Sequence, residues 1–298
     1  MQQRTIRLDR PIDVHTTWHG LRRGRHDPTC RTAVDGIWRT SRAPGGPSTL
    51  RLVPDGDRIE ATAWGEGAEA MLDQVPALVG AEDEADDFEP QHPLVRRLQR
   101  DFADVRIPRS GAVVEALVAN VLEQRVTTYE ARRAQAQIVR TWGEPAPGPT
   151  DLLLPVDPDV LANIPYYDLH VCGVEQHRAD TVRRVASSAT RLDDLRDQPI
   201  DVATERLLAI AGVGPWTVAH TVTLALGGAD AVPVGDAHLP ADVTWALLGE
   251  AVDDDQAMLD ALEEFAGHRG RVVRLIGAAG IRAPRTSPRY APRDIRRD

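Results

Sequence analysis

The sequence contains no lysine, and all 35 basic residues among its 298 are arginine. No side chain can therefore supply the primary amine with which some enzymes form a Schiff base on a carbonyl carbon. Apart from the amino terminus of the chain, no such group is present. Covalent amine catalysis by a side chain is excluded.

Cysteine is also scarce, with only Cys30 and Cys172. Two cysteines are too few for a disulfide framework or a four-cysteine metal or iron–sulfur site. His15 and His19 lie four residues apart, but no third ligand and no His-Glu-x-x-His pattern accompany them. The glycines lack the spacing of nucleotide-binding loops. We therefore predict no metal and no cofactor.

Long apolar runs are absent too. No stretch of about 18 apolar residues occurs, and the first residues contain no apolar signal core. We therefore expect neither membrane insertion nor export, and we predict a cytoplasmic protein. Hydrophobic residues make up 42% of the chain, which suffices for ordinary cores in about two domains.

The net charge of −10 is unevenly distributed. Residues 81–90 and 251–264 each hold six acids and no base. Without these two segments the rest of the chain would be slightly positive. Charge runs of this kind are typical of solvated faces or linkers, so the remaining surface could still bind an anionic partner.

The element pattern changes along the chain. Short stretches such as GIWRT, TLRLV and RIEATAW, separated by turn residues, predict antiparallel strands, and one helix follows them. From Leu94 to Gly280 the pattern is almost wholly helical. We predict a mostly α fold with an α+β amino-terminal domain over 1–80, an acidic linker over 81–92, a helical domain over 93–281 and a disordered Arg/Pro-rich tail over 282–298.

The stretch from Leu207 to Leu239 is the most informative. A short apolar helix ends near Ile210, and Gly212-Val213-Gly214 follows as a turn in which both glycines can adopt positive φ. Pro215 suits the first position of a second helix, predicted over 215–226. Unbonded backbone N–H groups of such a hairpin attract an anion such as a phosphodiester, independently of base sequence.

A single acid follows this hairpin. Asp236 lies behind a loop containing Pro233 and Gly235, where a helix predicted over 239–248 begins. An aspartate before a helix is most often an N-cap. Beside a phosphate-binding hairpin, however, its carboxylate could also act on the bound ligand.

Taken in order, these motifs resemble the helix-hairpin-helix/Gly-Pro-Asp superfamily of DNA glycosylases, and bacterial 3-methyladenine DNA glycosylase II in particular. The likeness covers about Pro93 to Ala279. It implies a helix-hairpin-helix core preceded by a small antiparallel sheet domain. It also implies that the catalytic residue is Asp236 and that the DNA-binding residues are Gly212, Val213, Gly214, Thr217, Gln124 and Arg125.

In that superfamily the residue after the glutamine fills the gap left by a flipped base; here it is Arg125. The resemblance places Trp216 in the base pocket, and His220, four residues later on the same helix face, and His238 are further candidates. Tyr166, Tyr167 and His268 could contribute, whereas Trp245, mid-helix among apolar residues, is predicted to be core.

The resemblance implies a monofunctional glycosylase that removes alkylated bases such as 3-methyladenine, and possible targets include 7-methylguanine. It would leave an abasic site, because relatives that also cut the backbone carry lysine where this chain has Trp216. The partner would be damaged double-stranded DNA, and we expect a nucleoid-associated monomer. Two alternatives remain open: a noncatalytic DNA-binding protein, and a glycosylase for deaminated or bulky lesions.

Overall fold

The architecture is an antiparallel sheet followed by a helical region, in a computed structural model that describes residues 1–284 and 295. The strands are β1 Gln2–Arg7, β2 Cys30–Ala33, β3 Gly36–Ser41, β4 Ser48–Asp55 and β5 Arg58–Gly65. The helices are α1 Val14–Thr17, α2 Ala68–Leu78, α3 Pro93–Asp101, α4 Val113–Leu122, α5 Thr128–Trp142, α6 Pro158–Asn163, α7 Tyr166–Val171, α8 Gln176–Ala186, α9 Ala189–Asp193, α10 Ile200–Leu208, α11 Pro215–Thr221, α12 Leu239–Leu248, α13 Asp255–Leu262 and α14 Arg269–Ala278.

The sheet has the strand order β1-β5-β4-β3-β2, and every pair of neighbours is antiparallel. Leu50 and Leu52 point to one face and are completely buried, where α2 packs across β4 and β5. The predicted fold class, mostly α with an amino-terminal antiparallel sheet, is confirmed. Strand β2 was missed, because its four residues lack an alternating pattern and half of them are exposed.

The helices form two apolar clusters. In the first, α4 lies at the centre, and its stripe of Val113, Leu117 and Val121 is fully buried against residues from α5 to α11. The second cluster joins α3 to α12, α13 and α14, around Met258 and Leu262. Helices α12 to α14 thus pack against α3, after the intervening helices have formed the first cluster. The segment between α11 and α12 therefore lies where the two clusters meet.

Five of the six acids in the segment 81–90 are exposed, and Asp83 is the exception. Asp83 accepts two hydrogen bonds from the Arg271 guanidinium, at 2.7 and 2.8 Å, and its side chain is 3% exposed. Phe88 is buried in the second helical cluster, and Asp87 bonds His268 at 3.0 Å. The segment is thus anchored at Asp83 and Phe88, and a count of charges cannot reveal which of its acids has a buried partner.

Two further points concern the limits of the chain. In the described residues, no helix is long and apolar enough to cross a membrane. Residues 285–294 and 296–298, most of the tail predicted from composition, lie outside the described residues.

We expect Asp83→Asn to lower the free energy of unfolding by about 3–5 kcal/mol, because the Arg271 charge would stay buried without a counter-charge. Denaturant unfolding measures this. The matched control is Glu82→Gln, whose partner Arg109 is half exposed, with an expected loss below about 1 kcal/mol. Equal losses in the two variants would contradict the buried pair's role.

Candidate active site

The hairpin between α10 and α11 uses its two glycines differently. Gly212 has φ +91°, and a Cβ there would lie 2.2 Å from the Thr181 hydroxyl oxygen, so only glycine fits. Gly214 has φ −104°, which corrects the expectation of positive φ at both positions. A Cβ on Gly214 would meet no atom within 4 Å. The fold therefore does not require glycine at 214.

The backbone amides of the hairpin are partly used inside the protein. Val213 donates to the Ile210 carbonyl at 3.0 Å and its side chain is buried, so this amide does not point outward as expected. In the described part of the chain, no acceptor is found for the amides of Gly212, Gly214 and Trp216. These three donors remain free for a ligand.

Helix α11 is shorter than predicted from the apolar repeat. It is α-helical over Pro215–Thr221 and then widens into a π-helical turn over Val222–Leu226, which Gly227 ends in the left-handed conformation. Thr217 lies on its buried face, 1% exposed. Its side chain therefore supports the hairpin from inside and is not presented to a ligand, contrary to the resemblance.

Gln124 connects the end of α4 to the hairpin. Its side-chain NH₂ donates to the Gly212 carbonyl at 3.0 Å and to the Thr217 hydroxyl at 2.8 Å. Three residues later, Thr127 caps α5 in a capping box with Glu130. Arg125, exposed between these two anchors, has φ +54° and is the one non-glycine residue with positive φ in the described ranges. Such strain persists only where the surroundings hold it.

Asp236 lies at the junction of the two helical clusters. Its Oδ2 accepts a hydrogen bond from Trp216 Nε1 at 2.8 Å, and its Oδ1 accepts from the backbone N–H groups of His238 and Leu239 at 2.9 and 3.0 Å. Both oxygens are thus engaged, yet the residue is only half-buried. The carboxylate therefore bonds the amides at the start of α12 and also faces α11, although the N-cap residue of α12 is His238, two residues after the predicted one.

These contacts determine the charge of Asp236. Burial favours the neutral form, but the Trp216 hydrogen bond and the two backbone donors outweigh it, and the pKa of Asp236 falls below its ordinary value. The carboxylate is therefore ionised at neutral pH.

The loop that carries Asp236 is fixed at two further points. Both carboxylate oxygens of Asp255 accept from the Gly235 amide, at 3.0 and 3.1 Å. Earlier in the loop, Asp230 forms an ion pair with Arg269 and also accepts its backbone N–H. Asp255 belongs to the acidic segment 251–264, so part of that segment positions the loop and is not merely solvated.

A ring pair stands next to the carboxylate. The Trp216 and His220 rings meet edge to face, with centroids 4.5 Å apart. Burial lowers the pKa of His220, and nearby Arg23 lowers it further against the opposite effects of Glu123 and Asp236. The imidazole is therefore neutral at neutral pH, and its ring shields one side of Trp216.

A polar network that no sequence motif indicated lies close to this pair. Arg23 binds Glu123 Oε1 and Asn120 Oδ1, each at 3.0 Å, and Asn120 donates to the Thr221 hydroxyl at 3.1 Å. The network joins the segment before β2 to α4 and α11. Residues about 100 positions apart form it, so no local spacing could have indicated it.

Other candidates lie elsewhere. The His238 side chain is exposed at the start of α12, and His268 is buried against Phe88 in the second cluster. Tyr166 bonds His170 on α7, and Tyr167 is exposed there. Trp245 is 38% exposed, so the prediction that it is core was wrong.

Comparisons with known proteins agree with this geometry. No protein-family model matches the chain. The sequence is 28% identical over 229 residues to a Mycobacterium tuberculosis protein named "Probable bifunctional transcriptional activator/DNA repair enzyme AlkA", in an alignment that covers 71% of this chain and 44% of that one. The chain thus spans less than half the length of this curated relative.

Solved structures share the fold at low identity. A 3-methyladenine DNA glycosylase from Archaeoglobus fulgidus superposes with a TM-score of 0.75 at 17% identity, over 93% of this chain and 97% of that one. An 8-oxoguanine glycosylase/lyase from Clostridium acetobutylicum gives 0.72 at 12% identity, over 93% and 96%.

The chain thus shares its fold with solved DNA glycosylases and is similar in sequence to the protein named AlkA. The resemblance inferred from sequence is confirmed.

We expect Trp216→Phe to raise the pKa of Asp236, because one of three hydrogen bonds to the ionised form is lost. A carboxyl with a depressed folded-state pKa stabilises the fold above its unfolded-state pKa and loses that contribution as pH falls through the folded-state value. The variant should therefore lose some stability at neutral pH. NMR titration of the Asp236 carboxyl carbon measures the shift, with Trp245→Phe as control, and an unchanged pKa would refute the hydrogen bond's role.

Proposed function

We propose that this protein is a monofunctional DNA glycosylase, which flips an alkylated base out of the duplex and hydrolyses its N-glycosidic bond. The observation that carries the proposal is the ionised Asp236 carboxylate, held beside a hairpin with three free backbone amides. A carboxylate that only bonded the start of α12 would not need its second oxygen held by Trp216 beside the hairpin.

The chemistry follows from the charge of the transition state. Breaking an N-glycosidic bond builds positive charge on the sugar, as in other glycoside hydrolyses. A preorganised carboxylate stabilises that charge and orients the attacking water. Because its hydrogen bonds already hold Asp236 in place, little reorganisation is needed when the charge develops. An N-alkylated purine is cationic and leaves readily, so a strong general acid is not required.

The hairpin would hold the DNA backbone. The free amides of Gly212, Gly214 and Trp216 are suited to bind a phosphate oxygen, and the dipole of α11 favours an anion at the same end. The open space in front of Gly214 supports this role, since nothing inside the protein explains the missing side chain.

Arg125 would occupy the gap that the flipped nucleotide leaves. Its loop is anchored on one side by Gln124 and on the other by Thr127, and Arg125 itself is exposed with a positive φ. A guanidinium can stack on bases and also pair with phosphate. The flipped base would then lie against Trp216, whose face attracts a cation, with neutral His220 adding no opposing charge.

Methylated duplex DNA, incubated with the protein, provides the direct test. Mass spectrometry of the supernatant should detect 3-methyladenine, with 7-methylguanine as a possible second product. Deaminated DNA serves as the parallel substrate. Release of only deaminated bases would favour a glycosylase for deaminated lesions. If no base is released from either substrate, the result would favour a noncatalytic DNA-binding protein.

We expect Asp236→Asn to reduce base release by more than about 100-fold, a loss typical for removal of one transition-state stabiliser. Binding of undamaged duplex should remain within a few-fold of the unchanged protein. Asp254→Asn, which alters the cap of α13, is the control for a general loss of fold. Undiminished release by Asp236→Asn would reject the catalytic role.

We expect Gly214→Leu to weaken binding to every duplex sequence by about tenfold or more, equivalent to about 1.4 kcal/mol. Its thermal stability should hardly change, because the position is open and φ is ordinary. Gly212→Ala should instead destabilise the fold through strain at positive φ and the contact with Thr181. A loss confined to one sequence context would argue against phosphate binding.

The absence of lysine predicts that the reaction stops at the abasic site. Borohydride, which reduces a Schiff base to a stable amine, should trap no covalent adduct between this protein and DNA. A trapped adduct that maps to a side chain would overturn the monofunctional assignment.

A further inference from the structure

A second polar cavity lies apart from Asp236, on the sheet side of α5. Its volume is about 230 Å³, far above the roughly 15 Å³ that a single water requires. The lining groups that can carry positive charge are His15, His19, Arg22, Arg25 and Arg132. We call this cavity the cationic pocket.

The pocket wall carries no acid. Its remaining ionisable group, the Cys30 thiol, has its pKa raised to about 12 by burial and nearby Asp27, so it stays neutral. Within the described residues, none of Arg22, Arg25 and Arg132 forms an ion pair. Arg22 donates to the Gly24 carbonyl at 3.2 Å, whereas the buried Nε of Arg132 has no partner.

This lack of partners contrasts with other arginines of the chain. Arg23, Arg39 and Arg271 each meet a carboxylate within 3.2 Å, in a sequence with ten more acids than bases. Three arginines converge on one cavity whose lining holds no carboxylate. An anion entering the cavity would reduce their mutual repulsion.

The electrostatic environment of His19 agrees with this geometry. Burial lowers its pKa, and the charges of Arg132, Arg274, Arg22 and Arg282 lower it further. These arginines come from four different segments of the chain. The positive potential at His19 therefore arises because the fold brings the segments together, and not from one stretch of sequence.

We propose that the cationic pocket is a second phosphate-binding site, separate from the hairpin. Guanidinium groups bind phosphate through paired, charge-assisted hydrogen bonds. Several such hydrogen bonds can form in this pocket, because three arginines line it. The phosphate belongs either to the DNA backbone, which rests on the proposed function, or to a free phosphate ion.

The position of the pocket favours the DNA backbone. Arg132 lies four residues into α5, about 6 Å along the axis from its first residue, and α5 begins three residues after Arg125. The segment that carries Arg22 and Arg25 is held against α4 by the contacts of Arg23 with Asn120 and Glu123. The pocket thus adjoins the surface that we assign to DNA.

Titration with inorganic phosphate tests the site. Calorimetry measures the binding, and NMR of the His19 ring monitors the pKa of that side chain. The unchanged protein should bind phosphate saturably, and the pKa of His19 should rise as the anion binds. Arg22→Gln combined with Arg25→Gln should weaken binding at least tenfold. Arg58→Gln, which removes one positive charge from an exposed position on β5, should leave it unchanged and is the matched control for the single variant Arg25→Gln.

Thermal unfolding checks that each variant folds. If the double variant does not fold, the single variant Arg25→Gln, at an exposed position, replaces it in the binding experiment. No saturable binding by the unchanged protein, or equal binding by all variants, would overturn the proposal.

Binding of undamaged duplex as a function of salt separates the two sources. If DNA supplies the phosphate, the double variant should reduce the salt-dependence slope by about 0.9 for each lost phosphate contact. An unchanged slope together with lost phosphate binding identifies the free ion as the ligand. Neither measurement reads base release, so failure of this proposal and failure of the glycosylase proposal are distinguishable.

Discussion

The hydrogen bond between Trp216 Nε1 and Asp236 Oδ2 joins the two helical clusters at the point where the candidate chemistry lies. Trp216 is the second residue of α11, which packs in the first cluster, and Asp236 precedes α12, which packs in the second. The same bond helps keep the carboxylate ionised despite its partial burial. One contact therefore fixes the relative position of hairpin and acid, as well as the charge state on which the proposed mechanism depends.

Other contacts restrict the parts around this bond. Asp255 holds the loop before Asp236, and Gln124 holds the hairpin from the α4 side. Asp83 pairs with Arg271 under the second cluster. Some acids are thus paired with arginines within the fold, as Asp83 is with Arg271, so the net charge of −10 does not by itself describe the surface offered to DNA. Binding of an anion depends instead on which arginines form no ion pair with a carboxylate, such as those that line the cationic pocket.

Local patterns were informative where the physics is local. The apolar repeat and Pro215 predicted the start of α11, and the bounds predicted for α12 agree with the structure. Glycine at 212 is required by its backbone angle and by Thr181, although sequence alone could not distinguish it from Gly214. The prediction failed for Trp245, because an apolar neighbourhood along the chain does not determine which side of a helix is covered.

The sequence by itself determined the order of the elements, the hairpin, the single acid behind it and the lack of any lysine, since each of these depends on residue type and on short spacing. Only the tertiary structure decided which groups meet. Arg23 reaches Asn120, and His19 comes under the influence of Arg132 and Arg274. Contacts between residues about 100 or more positions apart arise from how the helices pack around the sheet, and no local pattern encodes them.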